Sequence, residues 1–136
     1  MSWQRFRVNI DKKYKPEQRA AIGAEIVRVI QERSVNGIDI NGSKFPRYTK
    51  DYAAKKGVSR GAVDLTLTGE MLANLKMISE NSGSILVGYE KGDPANGKAE
   101  GNNMGSYGGS PDPSKVRRFL GISETELESI LSKFDE

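Results

Sequence analysis

Apolar and polar residues alternate near the start of the chain, and then the period changes. Over Arg5–Ile10, Phe6, Val8 and Ile10 fall on one face and Arg5, Arg7 and Asn9 on the other, which predicts a half-buried strand. From Pro16 the spacing is helical: Ile22, Ile26, Val29 and Ile30 share a stripe, with Ala20, Ala21, Ala24 and Val27 alongside. Pro16 suits the first helical position, where a missing N–H costs nothing. Glu17 complements the positive end of the helix dipole, and Asn36-Gly37 is a stop signal. Arg28, Gln31, Glu32 and Arg33 read as the solvated side.

Beyond the helix the pattern is broken by Gly37, Gly42 and Pro46, so residues 37–47 read as a loop. A short helix is expected from Thr49 to Lys56, closed by Gly57. Thr68 can cap a second one containing Met71, Leu72 and Leu75. Leu75–Glu80 and Ser84–Glu90 then flank Asn81-Ser82-Gly83, a hairpin with a three-residue connection and a glycine available for positive φ. Ile85, Val87 and Tyr89 share a face. The last helix is announced by a capping box, Ser123-x-x-Glu126, with Ile122 and Leu127 in the staple positions. Leu127, Ile130, Leu131 and Phe134 recur at helical spacing behind it. The expected core is Ile22, Ile26, Ile30, Leu127, Ile130 and Leu131, packed on a sheet made by Arg5–Ile10 and the hairpin.

Residues 92–114 interrupt this order. Six of these 23 positions are Gly, three Pro, three Asn and three Ser. A stretch so long and polar predicts a functional or disordered loop, flexible in the isolated subunit. Otherwise the 136 residues predict one domain of α+β class: a small, mostly antiparallel sheet packed by a long N-terminal helix and a C-terminal helix. Apolar residues make up only 36% of the chain. No segment approaches the roughly 20 apolar residues of a membrane span. Met1-Ser-Trp-Gln-Arg has no apolar core behind it, so no signal peptide is expected.

The absence of cysteine and histidine narrows the chemistry. Thiolate nucleophiles, Cys/His zinc sites and disulfides have no residues to build them. General acid–base catalysis near neutrality loses its usual side chain. The net charge of +3 conceals an asymmetry: residues 1–60 hold 14 basic and 6 acidic side chains, and residues 61–136 hold 7 and 12. These are either solvated faces or complementary surfaces of neighbouring copies, since head-to-tail contacts close into rings when the rotation permits.

Gly37-x-x-x-x-Gly42-Ser43-Lys44 is a poor phosphate loop. Lys should follow the second Gly directly, with a hydroxyl after it. Asp39-x-Asn41-Gly42 lacks the later oxygen ligands of a calcium loop and reads as a turn whose side chains satisfy the backbone. Glu124, Glu126 and Glu128 serve the helix start better than a metal. No cofactor is expected. Lys44, Arg47, Lys50, Lys55, Lys56 and Arg60, with Tyr48 and Tyr52 between them, make the best case for nucleic acid, since aromatics stack on bases and cations neutralise phosphates. The same residues suit a subunit contact.

Three segments stand in a telling order: Gly37-x-Asp39-x-Asn41-Gly42 leading to Phe45 and Tyr48–Tyr52; Leu67-Thr68-Gly69-Glu70-Met71-Leu72; and Arg118-Phe119-Leu120-Gly121-Ile122-Ser123 with its acidic helix. A hairpin ending in Val87-Gly88 lies between the last two. This order, over residues 19–133, resembles the tail-completion or virion-morphogenesis family of tailed bacteriophages, the neck proteins of head–tail joining. The chain departs from that pattern at residues 92–114, where similar proteins carry a His/Gln-containing stretch.

The resemblance implies a structural protein, not an enzyme. It implies a homo-oligomeric ring of about six or twelve copies, through which packaged DNA passes. Its partners would be the phage connector or adaptor on one face and the tail tube or tail terminator on the other. It would be made in the bacterial host cytoplasm and end at the head–tail junction of the virion, with no membrane contact. Candidate interface residues are Lys44, Arg47, Tyr48, Lys50, Tyr52, Met104, Tyr107, Arg117 and Arg118. The alternative is a nucleic-acid-binding accessory protein that uses the basic N-terminal half.

Overall fold

The computed structural model describes residues 4–45, 69–96, 99–100 and 118–135. Among these, the alternation at the start forms β1 (Arg5–Asn9), and the helical stripe forms α1 (Pro16–Val35). Pro16 opens α1, and the Gln18 side chain accepts a hydrogen bond from the Lys15 N–H, satisfying one donor ahead of the first turn. Gly37 ends the run at φ 78°, a conformation that costs glycine nothing.

A short helix α2 (Gly69–Ala73) precedes β2 (Lys76–Asn81) and β3 (Ser84–Gly88), and α3 (Glu124–Leu131) closes the chain. The three strands form one antiparallel sheet in the order β1-β3-β2. Phe6 faces Val87 and Val8 faces Ile85 across β1 and β3, which fixes the inward side. Helix α1 lies against that side, over β2 and β3, and α3 packs on α1. The class is α+β.

The core follows the apolar stripe. Ile22, Ile26 and Ile30 are fully buried with Ile85, Val87, Tyr89, Met71 and Phe119. Ile130 is the buried residue of α3, whereas Leu127 and Leu131 are half-buried and pack on the core from its edge. The capping box forms as expected: Glu126 N–H donates to Ser123 Oγ at 3.1 Å, and Ser123 N–H donates to Glu126 Oε1 at 3.0 Å. A side chain at Gly23 would run into Met77, so this glycine lets α1 approach β2 closely.

Several expectations are corrected. The hairpin connection is two residues, Ser82-Gly83, because Asn81 pairs with Ser84; the strand simply extends one residue further. Ile78 is the extra residue between the Met77 and Ser79 pairings, a bulge that periodicity alone does not reveal. Leu75 lies between α2 and β2, outside the helix, and is buried there. Strand β3 stops at Gly88, but Tyr89 stays buried and donates its hydroxyl to the Met71 carbonyl at 2.7 Å.

The glycine-rich segment begins as packed structure. Ala95, Asn96 and Ala99 are buried. Asn96 accepts from the Gln4 N–H at 2.8 Å and donates to the Glu90 and Asp93 carbonyls at 2.8 and 3.1 Å. An amide that satisfies three backbone groups holds this stretch down despite its composition. The helix expected over Thr49–Lys56 and residues 97–98 and 101–114 of the loop lie outside the described residues.

Candidate assembly surface

The Gly37–Phe45 segment is built around one aspartate. Asp39 Oδ1 accepts from the N–H groups of Asn41 and Ser43, both at 2.9 Å, and the Asp39 carbonyl accepts from Gly42 N–H at 3.1 Å. Gly42 takes φ 83° at the tip. Ile38 bridges Lys44, and Phe45 N–H returns to the Gly37 carbonyl at 2.9 Å. The result is a miniature hairpin whose apolar end, Phe45, is buried. The turn reading of Asp39-x-Asn41-Gly42 therefore fits these bonds.

Arg33 ties this hairpin to the closing segment. Its guanidinium donates to the Asp39 carbonyl at 3.2 Å, to the Phe119 carbonyl at 3.1 Å and to the Gly121 carbonyl at 2.6 Å. Glu126 stands 3.6 Å away. The side chain is only 9% exposed, which overturns its expected place on the solvated side of α1. Burial pulls the pKa of Arg33 down, opposed by the charges of Glu126 and Asp39. Nη1 is buried without a hydrogen bond, the residual penalty of that position. The backbone adds a further tie, Ile40 N–H to the Arg118 carbonyl at 2.9 Å. Gly121 approaches Ile40 so closely that a side chain there would collide with it.

Of the nine candidate interface residues, Lys44 and Arg118 are described. Both are exposed, and both belong to this module: Lys44 on the returning arm of the hairpin, Arg118 on the strand of chain beside Ile40. Arg47, Tyr48, Lys50, Tyr52, Met104, Tyr107 and Arg117 lie outside the described residues.

A groove beside the module is lined in part by Glu32, Asp39, Asn41, Ser123 and Glu126. Its carboxylates are already engaged. Glu32 pairs with Arg28, Asp39 holds the turn, and Glu126 serves the α3 cap and faces Arg33. Among the described residues no group of three or more Asp, Glu, His or Cys is arranged to hold a metal ion. Among them also, no helix is long and apolar enough to cross a membrane.

Two features were missed by sequence reasoning. Arg33 continues the register of Ile26 and Ile30, so its position on the stripe was the available signal. The clamp by Asn96 had none, because its partners are backbone groups, one of them the distant Gln4 N–H, and backbone groups leave no mark in the residue pattern. Comparison with protein-family models, with curated proteins and with solved structures gives no match.

Proposed function

We propose that this chain is a structural protein of the tailed-phage neck, a tail-completion or head–tail adaptor subunit that assembles into a ring and performs no chemistry. One observation carries the reading. Residues of the short motifs that support the resemblance shape one of the fold's turns and make two of its tight approaches. Asp39 and Gly42 shape the hairpin, Gly88 lies against the backbone of Gln4 and Arg5, and Gly121 lies against Ile40. Their order thus reflects one architecture and not a scatter of turns. Arg33 locks the outer two motifs into a rigid module, and rigidity is what a joint under load requires.

In this reading the ring of about six or twelve copies surrounds the DNA path. It meets the connector or adaptor on one side and the tail tube or terminator on the other. Lys44 and Arg118 offer contacts to those neighbours, and no cofactor takes part.

Electron microscopy and native mass spectrometry of the purified chain test this directly. Closed rings of defined copy number are the expected result. A chain that stays monomeric at every concentration, yet binds duplex DNA tightly with a steep loss on adding salt, would establish the accessory-protein alternative instead.

A further inference from the structure

We propose that the outer face of the sheet is one half of a head-to-tail contact between copies of this chain, and that the exposed acidic side of α3 on the next copy is the other half. This rests on the ring reading above and names the surfaces by which the ring closes.

The face turned away from α1 carries Arg5, Arg7 and Asn9 from β1, Ser84, Leu86 and Gly88 from β3, and Lys76, Ser79 and Asn81 from β2. That is three cations and no carboxylate. Arg7, Asn9, Lys76, Ser79 and Asn81 are exposed, and Leu86 is half-buried, with the small residues Ser79, Ser84 and Gly88 near it on this face. The face is therefore shallow, with one apolar patch inside a basic frame. Arg7 is oriented rather than loose. It donates to Ser84 Oγ at 2.9 Å, and Ser84 Oγ donates to Asn81 Oδ1 at 3.0 Å. Lys76 has Glu90 beside it at 3.3 Å, at the end of the sheet.

The complementary surface is on α3. Glu124 and Glu128 are both exposed, one turn apart, and neither has an ion pair among the described residues. Glu126 between them is turned inward to Arg33. The helix dipole favours Glu124 in the first turn, but it gives little to Glu128 beyond it. Like charges at i, i+4 also repel by a small amount. A basic surface brought against this side relieves that repulsion. Two copies meeting through identical faces would oppose like charges, so the favourable contact is heterologous. Heterologous contacts close into rings when the rotation permits.

The chain contains no cysteine, so introduced thiols report without background. Asn9→Cys and Ser129→Cys, combined in one chain, flank the proposed contact and leave every charge in place. A bis-maleimide added to the assembled protein should give a ladder of covalent multimers, while each single variant stops at dimers. Arg7→Glu and Glu128→Lys should each weaken self-association roughly tenfold, and the double reversal should recover most of it.

Rings that form normally, give no ladder and ignore both reversals would overturn these surfaces and leave the ring reading standing. A chain that never self-associates would overturn both. Loss of duplex DNA binding on Arg7→Glu, with rings unchanged, would assign the basic face to nucleic acid and overturn the proposal as well.

Discussion

Arg33 sits among three carbonyl oxygens with Glu126 beside it, whereas Arg7 lies open to solvent with one serine hydroxyl as its hydrogen-bond partner. The same guanidinium does different work in the two places. In the first it replaces water with fixed acceptors and joins α1, the small hairpin and the closing segment. In the second its charge is left largely unused by the fold. Water screens an exposed charge at little cost, so nothing in folding forces Arg7 to have a partner. A buried one must be matched. The contrast separates charges that the fold needs from those available to something outside it.

The sharpest way to test that separation is to remove each cation. Arg33→Met strips a buried donor from three carbonyls and leaves Glu126 facing an apolar side chain. Loss of one partner from a buried pair typically costs about 3–5 kcal/mol. Urea denaturation of this variant should show a drop of that size, and Arg7→Ala should stay within about 0.5 kcal/mol of the parent. A loss below about 1 kcal/mol for Arg33→Met would mean that its carbonyls find water easily, and the two regions would no longer differ in kind.

A smaller effect should come from the sheet itself. Gly88 has φ 155°, and a Cβ there would meet the Gln4 carbonyl oxygen and lie 2.5 Å from Arg5 Cα. Both are backbone atoms, so no flexible side chain can move aside. Gly88→Ala should cost about 1–3 kcal/mol through overpacking. Because it shifts β1 against β3, it should also disturb the basic face, which Arg7→Ala would not. Equal melting midpoints for Gly88→Ala and the parent would show that β1 is loosely held at this end.

These regions were unequally readable from sequence. The fold class, the first strand, the long helix and the capped last helix follow from local periodicity, and each formed where its pattern lies. The turn at Asp39 was readable because short polar side chains next to glycine have few other uses. What escaped were interactions between distant segments. Arg33 was assigned to the polar side because it is charged, although its register places it beside Ile26 and Ile30. Residues 92–114 read as a functional or disordered loop on composition, which does not reveal that Asn96 near its start is buried and bonds three backbone groups. Of the candidate interface, Lys44 and Arg118 lie on one module, a convergence that neither residue's local sequence indicates.

Between the buried hub and the open face lies a third arrangement, the clasp on the C-terminal end of the chain. Lys133 Nζ reaches Glu25 at 3.0 Å, Lys13 Nζ reaches Asp135 at 3.0 Å, and Tyr14 donates its hydroxyl to Asp135 at 2.5 Å. Hydrogen bonds from Arg28, and then from Lys133, hold the Glu25 carboxyl at a pKa of about 2 against an ordinary 4.5. A carboxyl whose folded pKa is depressed stabilises the fold above its unfolded value. That contribution is present in full above about pH 4.5 and fades as the pH falls toward about 2. The partners are solvent-accessible, so screening should keep it under about 1 kcal/mol. Urea melts should therefore lose a little stability over that interval. Lys133→Met should flatten the loss, and added salt should shrink it further. An acid-induced drop several times larger, unchanged in Lys133→Met, would show that this clasp does not carry the acid sensitivity of the fold.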